Sequence, residues 1–327
     1  MSNLSHSLLW DQPESIIERV IQNVEKMIVG KRESIELCVL AVLSGGHVLI
    51  EDVPGTGKTV LVKALAKTLD CSFNRIQFTP DLLPSDVTGV TIYHPQLQTF
   101  QFREGPLFAN VVLADELNRT PPKTQAALLE AMEENKITID GITYALPEPF
   151  LLLATQNPVE YEGTYSLPEA LLDRFLLRIR MGYPTLTDEA NMLSKHGQYD
   201  PLDRIKPVIF KEELQSLQNQ VRTVHLDDSL KDYIVRLSAD TRINRELILG
   251  ASPRASVALM KAAQARALMN GRGYCVPDDI KSLVTPVYAH RLLLKADALM
   301  RGRSTDDVAR ETAERVPVPG ACRASGS

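Results

Sequence analysis

Residues Asp52-Val53-Pro54-Gly55-Thr56-Gly57-Lys58-Thr59 constrain this chain more than any other stretch. An apolar run, His47-Val48-Leu49-Ile50, precedes them, and a helix-forming stretch, Val60 to Leu69, follows. A strand that turns through glycines into a helix start aims free backbone N–H groups and the positive end of the helix dipole at an anion. The pattern predicts a cradle for the phosphates of a nucleoside triphosphate. Lys58 would reach the β- and γ-phosphates and the Thr59 hydroxyl would ligate Mg²⁺. The strict pattern places glycine where this chain has Asp52; aspartate tolerates left-handed backbone better than most residues, which accommodates the departure. A chance glycine-rich turn is the bland alternative, and the strand before and helix after it argue against that.

A second stretch points to hydrolysis. Asn110-Val111-Val112-Leu113-Ala114 is an apolar run ending in Asp115-Glu116, as expected of a buried parallel strand with carboxylates at its C-terminal end, the edge where open α/β sheets bind ligands. Asp115 would hold Mg²⁺, and Glu116 would orient and deprotonate an attacking water. Alone, two acids after an apolar run mark a strand entering a solvated loop. One crossover after the cradle, they become specific.

Further motifs follow the same order along the chain: Ile28-Val29-Gly30, Glu51 to Thr59, and Ala114-Asp115-Glu116-Leu117-Asn118-Arg119. Then come Pro122-Lys123-Thr124-Gln125, Leu128 to Glu133, Ala154-Thr155-Gln156-Asn157-Pro158 and Leu171-Leu172-Asp173-Arg174-Phe175. With these motifs the chain resembles the AAA+ ATPases and, among them, the MoxR family, over roughly residues 14–318. That family itself carries Glu-Asp-Val-Pro-Gly before its cradle, so Asp52 departs only from the generic pattern.

The resemblance implies a set of site residues. Pro54, Gly55, Thr56, Gly57, Lys58, Thr59 and Val60 would contact the nucleotide, with Val29 and Gly30 lining the adenine pocket. Asn157, at the end of the apolar strand Phe150–Ala154, would be sensor 1; otherwise an Asn before Pro158 is an ordinary turn starter. Arg174 would be the finger that stabilises charge in the next subunit's site; its bland reading is a salt bridge to Glu169 or Asp173. Arg178 and Arg119 compete for the finger role. Arg254 would be sensor 2, contacting the nucleotide of its own chain from the lid, and a cation at a helix start is a local conflict of the kind functional positions carry.

The chain has 327 residues, a length that suggests two domains. Lys and Arg number 36 against 41 Asp and Glu, a net charge of −5, which argues against nonspecific nucleic-acid binding through a basic face. Four cysteines, Cys38, Cys71, Cys275 and Cys322, lie far apart with no metal-ligand spacing; Cys38 reads as a packed thiol. They fit a reducing compartment. The six histidines form no paired or triad pattern. The first ten residues lack the features of a signal peptide, and no apolar run approaches a membrane span. The expectation is a cytoplasmic protein.

Periodicity predicts helices over 14–27 and 31–43, a strand at 47–51, a helix at 58–69 and a strand at 74–78. Two hairpins follow, Val90–Tyr93 with Thr99–Phe102 and Lys136–Ile139 with Ile142–Tyr144, the second turning on Asp140-Gly141. They match insertions of the branch containing MoxR and the magnesium-chelatase ATPase subunit, thought to touch partners; two solvated hairpins trimming the sheet is an equally good reading. Strands at 110–115, 150–155 and 176–180 and helices at 122–134 and 168–173 complete the β-bearing part. Beyond Pro184 the strand pattern ends, and helices are expected at 187–196, 211–221, 228–243, 253–269 and 277–287.

The expected architecture is α/β: a P-loop AAA+ core with a parallel sheet and hairpin insertions over residues 1–183, a small all-helical lid over 184–318, and a frayed tail at 319–327. The expected function is Mg-ATP hydrolysis in a homo-oligomeric, hexameric ring that remodels or matures a partner protein. The resemblance associates such chains with von Willebrand A domain partners and metal-cofactor insertion. Two other classes stand beside it: a ring ATPase acting on nucleic acid, and a scaffold that binds ATP with negligible turnover.

Overall fold

The apolar runs read above pair side by side, in one direction. In a computed structural model that describes residues 12–53, 55–157, 164–195 and 205–320, helices α1 (Pro13–Glu25) and α2 (Arg32–Leu43) lead into strand β1 (His47–Glu51) and helix α3 (Lys58–Thr68). Strand β2 (Phe73–Gln77) and helix α4 (Pro84–Thr88) precede the hairpin β3 (Gly89–His94) and β4 (Thr99–Glu104). Strand β5 (Val111–Asp115), helix α5 (Pro122–Glu134), hairpin β6 (Lys136–Ile139) and β7 (Ile142–Ala145), strand β8 (Leu151–Gln156), helix α6 (Glu169–Leu172) and strand β9 (Phe175–Ile179) follow. The expected nucleotide contact Pro54, with Pro158, His6, His196, Cys322 and the last seven residues of the tail, lies outside the described residues.

Five strands form one sheet in the order β2-β5-β8-β1-β9, every neighbouring pair parallel. Alternation along the strands separates two cores. Val48, Ile50, Val111, Leu113, Leu151 and Leu153 face the cluster holding α1, α2 and α3. Leu49, Val112, Ala114, Leu152 and Ala154 face the cluster holding Leu128, Ala131 and Met132 of α5. Strands covered on both faces carry the continuous apolar runs seen in the sequence.

Both hairpins form in the expected places. At the base of the first, Gly89 and Gly105 meet backbone to backbone: a Cβ on Gly105 would lie 2.4 Å from the Gly89 nitrogen, so neither position admits a side chain. The hairpins lean together through Phe102, whose ring stacks on Tyr144 at 4.2 Å.

Beyond β9 the chain is helical, as expected: α7 (Leu186–Lys195), α8 (Lys211–Thr223) and α9 (Asp228–Arg242), then α10 (Pro253–Met269), with Ser252 capping its first turn. Two features depart from the periodicity reading. A short antiparallel pair, β10 (Leu247–Leu249) with β11 (Leu293–Leu294), sits among these helices. The helix expected at 277–287 is two helices, α11 (Pro277–Lys281) and α12 (Val284–Tyr288). Helices α13 (Ala296–Met300) and α14 (Thr305–Arg315) complete the described chain. Two- and three-residue strands are too short for alternation to register. The C-terminal helices share one apolar cluster with α1 and α2, in which Ile17, Leu40, Leu217, Leu259 and Val308 are all buried.

His47, the first residue of β1, is buried beneath the sheet. Its Nε2 donates to the Met132 carbonyl at 2.9 Å, and its Nδ1 accepts from the Leu152 amide at 3.1 Å. Protonation would place a hydrogen on Nδ1 facing another N–H. Burial pulls His47 down to about 4, and burial likewise pulls His290 well below the ordinary range. A base with a lowered folded pKa takes up its proton first in the unfolded chain, so stability is intact above pH ~6.5 and falls as pH drops toward ~4. From His47 alone the loss approaches about 3 kcal/mol at the low end. Urea unfolding followed between pH 7 and pH 5 should show this decline, and His47→Asn, which keeps an acceptor near the Leu152 amide, should flatten it in part.

Candidate nucleotide-binding site

The C-terminal ends of β1, β5 and β8 lie side by side and bring the expected residues to one edge of the sheet. From β1 the chain passes through Gly55 and Gly57, both left-handed at φ +84° and +87°, into α3. The space a side chain would fill at Gly55 is open. Helix α3 has no side-chain cap and no acidic residue in its first turn, and its positive end lies at that opening. Lys58 Nζ lies over the loop on the carbonyls of Asp52 (2.8 Å) and Val53 (3.1 Å). The start of an eleven-residue helix, glycines at the turn and an ammonium inside it fit a bound phosphate chain.

Asp52 does not use the left-handed conformation that its residue type permits. The turn needs nothing unusual there, and its buried carboxylate serves another purpose: it accepts hydrogen bonds from the Val53, Met181 and Gly182 amides.

On the next strands, Asp115 is buried, with one oxygen taking the Thr155 hydroxyl at 2.6 Å and the other the Arg75 guanidinium at 2.6 Å. Glu116 stands in the left-handed region at φ 58°, ψ 46°, an uncommon conformation for such a residue and one that recurs at functional positions. Its amide donates to Thr155 Oγ1 at 2.8 Å, and its carboxylate accepts from Gln77 at 2.6 Å and pairs with Arg119 at 3.2 Å. Asn157, directly beyond β8, is buried, and Asn118 donates to its carbonyl at 3.3 Å. Among the described residues no cluster of three His, Cys, Asp or Glu could hold a metal by itself. A cation here would be held by Thr59 and Asp115 with the remaining ligands from phosphate and water, as suits magnesium. Periodicity did not single out Arg75 and Gln77. They flank buried Ile76 on β2, and Gln77 stands in register with Asp115, an alternation that could have flagged them.

Val29 and Gly30 form the turn between α1 and α2. Ile28 reaches to 3.7 Å from where a Gly57 Cβ would stand, and the Asp188 carboxylate fills the place of a Gly30 side chain. The turn therefore sits beside the cradle, with the start of α7 against it.

The two remaining arginines are elsewhere. Arg174 immediately precedes β9, whose Phe175 pairs with His47 at the start of β1; this is the N-terminal edge of the sheet. Helix α5 returns to the same edge, as the bond from His47 to Met132 shows. There Glu133 takes Arg174 on one oxygen, at 2.6 Å, and Arg254 on the other. A five-residue strand separates this edge from the cradle by about 13 Å before side chains are counted. Arg254 thus does not face the cradle of its own chain, contrary to the expectation for sensor 2. The bland reading of Arg174 is also corrected, since its carboxylate partner is Glu133. Asp173 is otherwise engaged, with Arg291 at 3.1 Å and the Ser252 hydroxyl at 2.9 Å. Arg291 is deeply buried and bonds the carbonyls of Asp173, Phe175 and Leu176, which fixes the turn carrying Arg174. Arg178, the first competing finger, is buried between Glu51 (3.1 Å) and Asp306 (2.6 Å). Arg119 lies on the cradle edge with Glu116.

Comparisons with known proteins agree with this geometry. The ATPase family associated with various cellular activities (AAA) matches residues 47–177, and the AAA lid domain matches residues 239–312. The chain is 51% identical over 304 residues to the uncharacterized protein YeaC of Bacillus subtilis, covering 93% of this chain and 95% of that one. It is 41% identical to Chaperone MoxR1 of Mycobacterium tuberculosis over 93% of this chain and 82% of that one. A crystal structure of a Cytophaga hutchinsonii protein superposes with a TM-score of 0.87 at 39% identity, over 94% of this chain and 96% of that one. With its sheet order, cradle and paired acids in place, and relatives matched over nearly their whole length, the chain belongs to the MoxR family of AAA+ ATPases.

Proposed function

We propose that this chain hydrolyses Mg-ATP in a cytoplasmic homo-oligomeric ring, hexameric by the family resemblance, and uses the cycle to remodel or mature a partner protein. The observation that carries this reading is the placement of Arg174 and Arg254 together on the edge opposite their own cradle. Arginines there are out of reach of the phosphates at their own cradle and stand where those of a neighbouring copy could meet them, so the site would be completed by assembly. Residues 1–183 would act as the nucleotide core and 184–318 as the lid.

Bound Mg-ATP would supply the phosphoanhydride bond and its charge. The chain supplies the rest. Lys58 and the α3 amides would hold the β- and γ-phosphates, and Thr59 and Asp115 the cation. Asp115 is already paired with Arg75, so cation binding would compete with that guanidinium. Glu116, fixed through its amide by Thr155, would take the proton of a water, and Asn157 would orient that water. Arg174 and Arg254 of one copy would neutralise charge developing in the next. The exposed aromatic pair on one face of the first hairpin, Tyr93 and Phe100 with ring centroids 5.3 Å apart, suits contact with a protein client. A von Willebrand A domain partner and a role in metal-cofactor insertion follow from the family resemblance.

Lys58→Ala should abolish nucleotide binding measured by calorimetry, because the loop loses its inward-facing cation; affinity within a few-fold of wild type would exclude the cradle assignment. Glu116→Gln should bind ATP but lose turnover by ~10²–10⁴-fold, the range for a general base, in a steady-state phosphate-release assay.

Mixing variants tests the opposite-edge arginines. An Arg174→Ala or Arg254→Ala subunit keeps its own cradle and base, while a Glu116→Gln subunit keeps both arginines. Mixed rings of either arginine variant with Glu116→Gln should regain turnover that no parent shows, once mass measurement has established that subunits mix. If Arg254 served its own chain, its mixture would stay inactive while that of Arg174 recovered.

A further inference from the structure

The residue that breaks the generic cradle pattern is a junction of four chain segments. Asp52 donates its amide to the Gln156 carbonyl at the end of β8, 3.1 Å away. Its own carbonyl receives Lys58 Nζ at 2.8 Å. Its carboxylate takes the Val53 amide at 2.8 Å with one oxygen, and with the other the Met181 and Gly182 amides at 3.1 and 2.8 Å. Met181 and Gly182 lie where the chain leaves β9 for α7, and Gly182 turns there with φ +64°. The carbonyl side of the same stretch is held by Lys31, whose Nζ donates to Met181 at 2.6 Å and to Tyr183 at 2.7 Å. Both faces of this exit peptide are thus clamped, one from the cradle and one from the turn beside it.

Glu51, the neighbouring acid, reaches the same part of the chain by another route. It pairs with Arg180 at 2.5 Å and Arg178 at 3.1 Å, and both arginines continue to Asp306 of α14 at 2.8 and 2.6 Å. Two consecutive carboxylates at the end of β1 therefore tie the cradle to the start and to the last helix of the C-terminal part. A glycine at position 52 would allow the loop to turn but could not make the bonds to Met181 and Gly182.

We propose that Asp52 is a positioning residue that couples the cradle to the 181–188 segment, so that nucleotide at the cradle sets the path of the chain into the C-terminal helices. This rests on the reading of the cradle as the nucleotide site. Anions drawing Lys58 away from the Asp52 carbonyl would act on the residue whose carboxylate holds the exit peptide. The coupling belongs to the carboxylate, because glycine offers no acceptor and asparagine offers one oxygen where the carboxylate uses two, one for the Val53 amide and one shared by the Met181 and Gly182 amides.

The test uses Asp52→Gly, which restores the generic pattern, and the near-isosteric Asp52→Asn in the full chain, with amide hydrogen exchange read with and without ATP. In the wild type, ATP should change protection both at the start of α3 and across 181–188. Both variants should keep the change at α3; Asp52→Gly should lose it at 181–188, and Asp52→Asn, with one acceptor oxygen left, should diminish it there. kcat should fall about tenfold, within the range of couplings between linked sites, while ATP affinity stays within a few-fold of wild type. Lys31→Met leaves the cradle intact and frees the other face of the exit peptide; it should give the same split and serves if the Asp52 variants do not fold. A merely structural Asp52 would lower the unfolding temperature and leave the nucleotide response of 181–188 as in the wild type, which would overturn the proposal, as would wild-type kcat in Asp52→Gly. If the wild type binds ATP without turning it over, the hydrolysis reading fails while the exchange comparison still decides the coupling.

Discussion

The common direction of the five strands is the constraint on which everything else in this molecule depends. Because every pair is parallel, all C-terminal ends gather at one edge and all N-terminal ends at the other. The acids and amides proposed to meet one phosphate group stand at the ends of β1, β5 and β8. Arginines that follow α6 or open α10 fall at the opposite edge. An antiparallel strand in the middle would have mixed the two sets.

Each edge is held by its own polar network. On the cradle side, Thr155 links Asp115 and Glu116 by accepting from the Glu116 amide and donating to Asp115. On the far side, Glu133 offers one oxygen to each arginine, and its carboxyl is held below the ordinary range chiefly by the Arg174 hydrogen bond. Arg254 and Glu133 are half exposed, so this pairing is worth little to stability and is free to rearrange when another charged surface approaches. The Arg178 network is different. Arg178 itself is nearly closed to solvent while Arg180 stays half exposed, and removing both carboxylates would strand a buried charge at a cost of about 3–5 kcal/mol. That difference separates an arginine open to new partners from one built into the frame.

Much of the fold was legible before any contact was known. The β1, β5 and β8 runs are continuous and apolar because both of their faces are covered, and Gly55, Gly57 and the paired acids mark where those strands end. Asp140-Gly141 announced the second hairpin. Less legible were β10 and β11, too short to show alternation, and the break at Ser282-Leu283, where no glycine interrupts the helical pattern. Proline gives no marker at that break either: Pro286 falls inside α12, in its first turn, where its missing N–H would have no partner within the helix in any case.

The sequence by itself determined the chemistry of the cradle edge, because a phosphate loop and a pair of acids at a strand end are local patterns, each made by consecutive residues. It also determined the family, through motifs whose order survives without knowing what touches what. Only the tertiary structure decided where the arginines point and what Asp52 is for. Arg174 and Arg254 are far apart along the chain and meet because one carboxylate on α5 reaches both; Asp52 meets Met181 and Gly182 because β1 and β9 are neighbours in the sheet. Pairings of that kind depend on strand order and on where each helix returns, and no spacing along the chain encodes them.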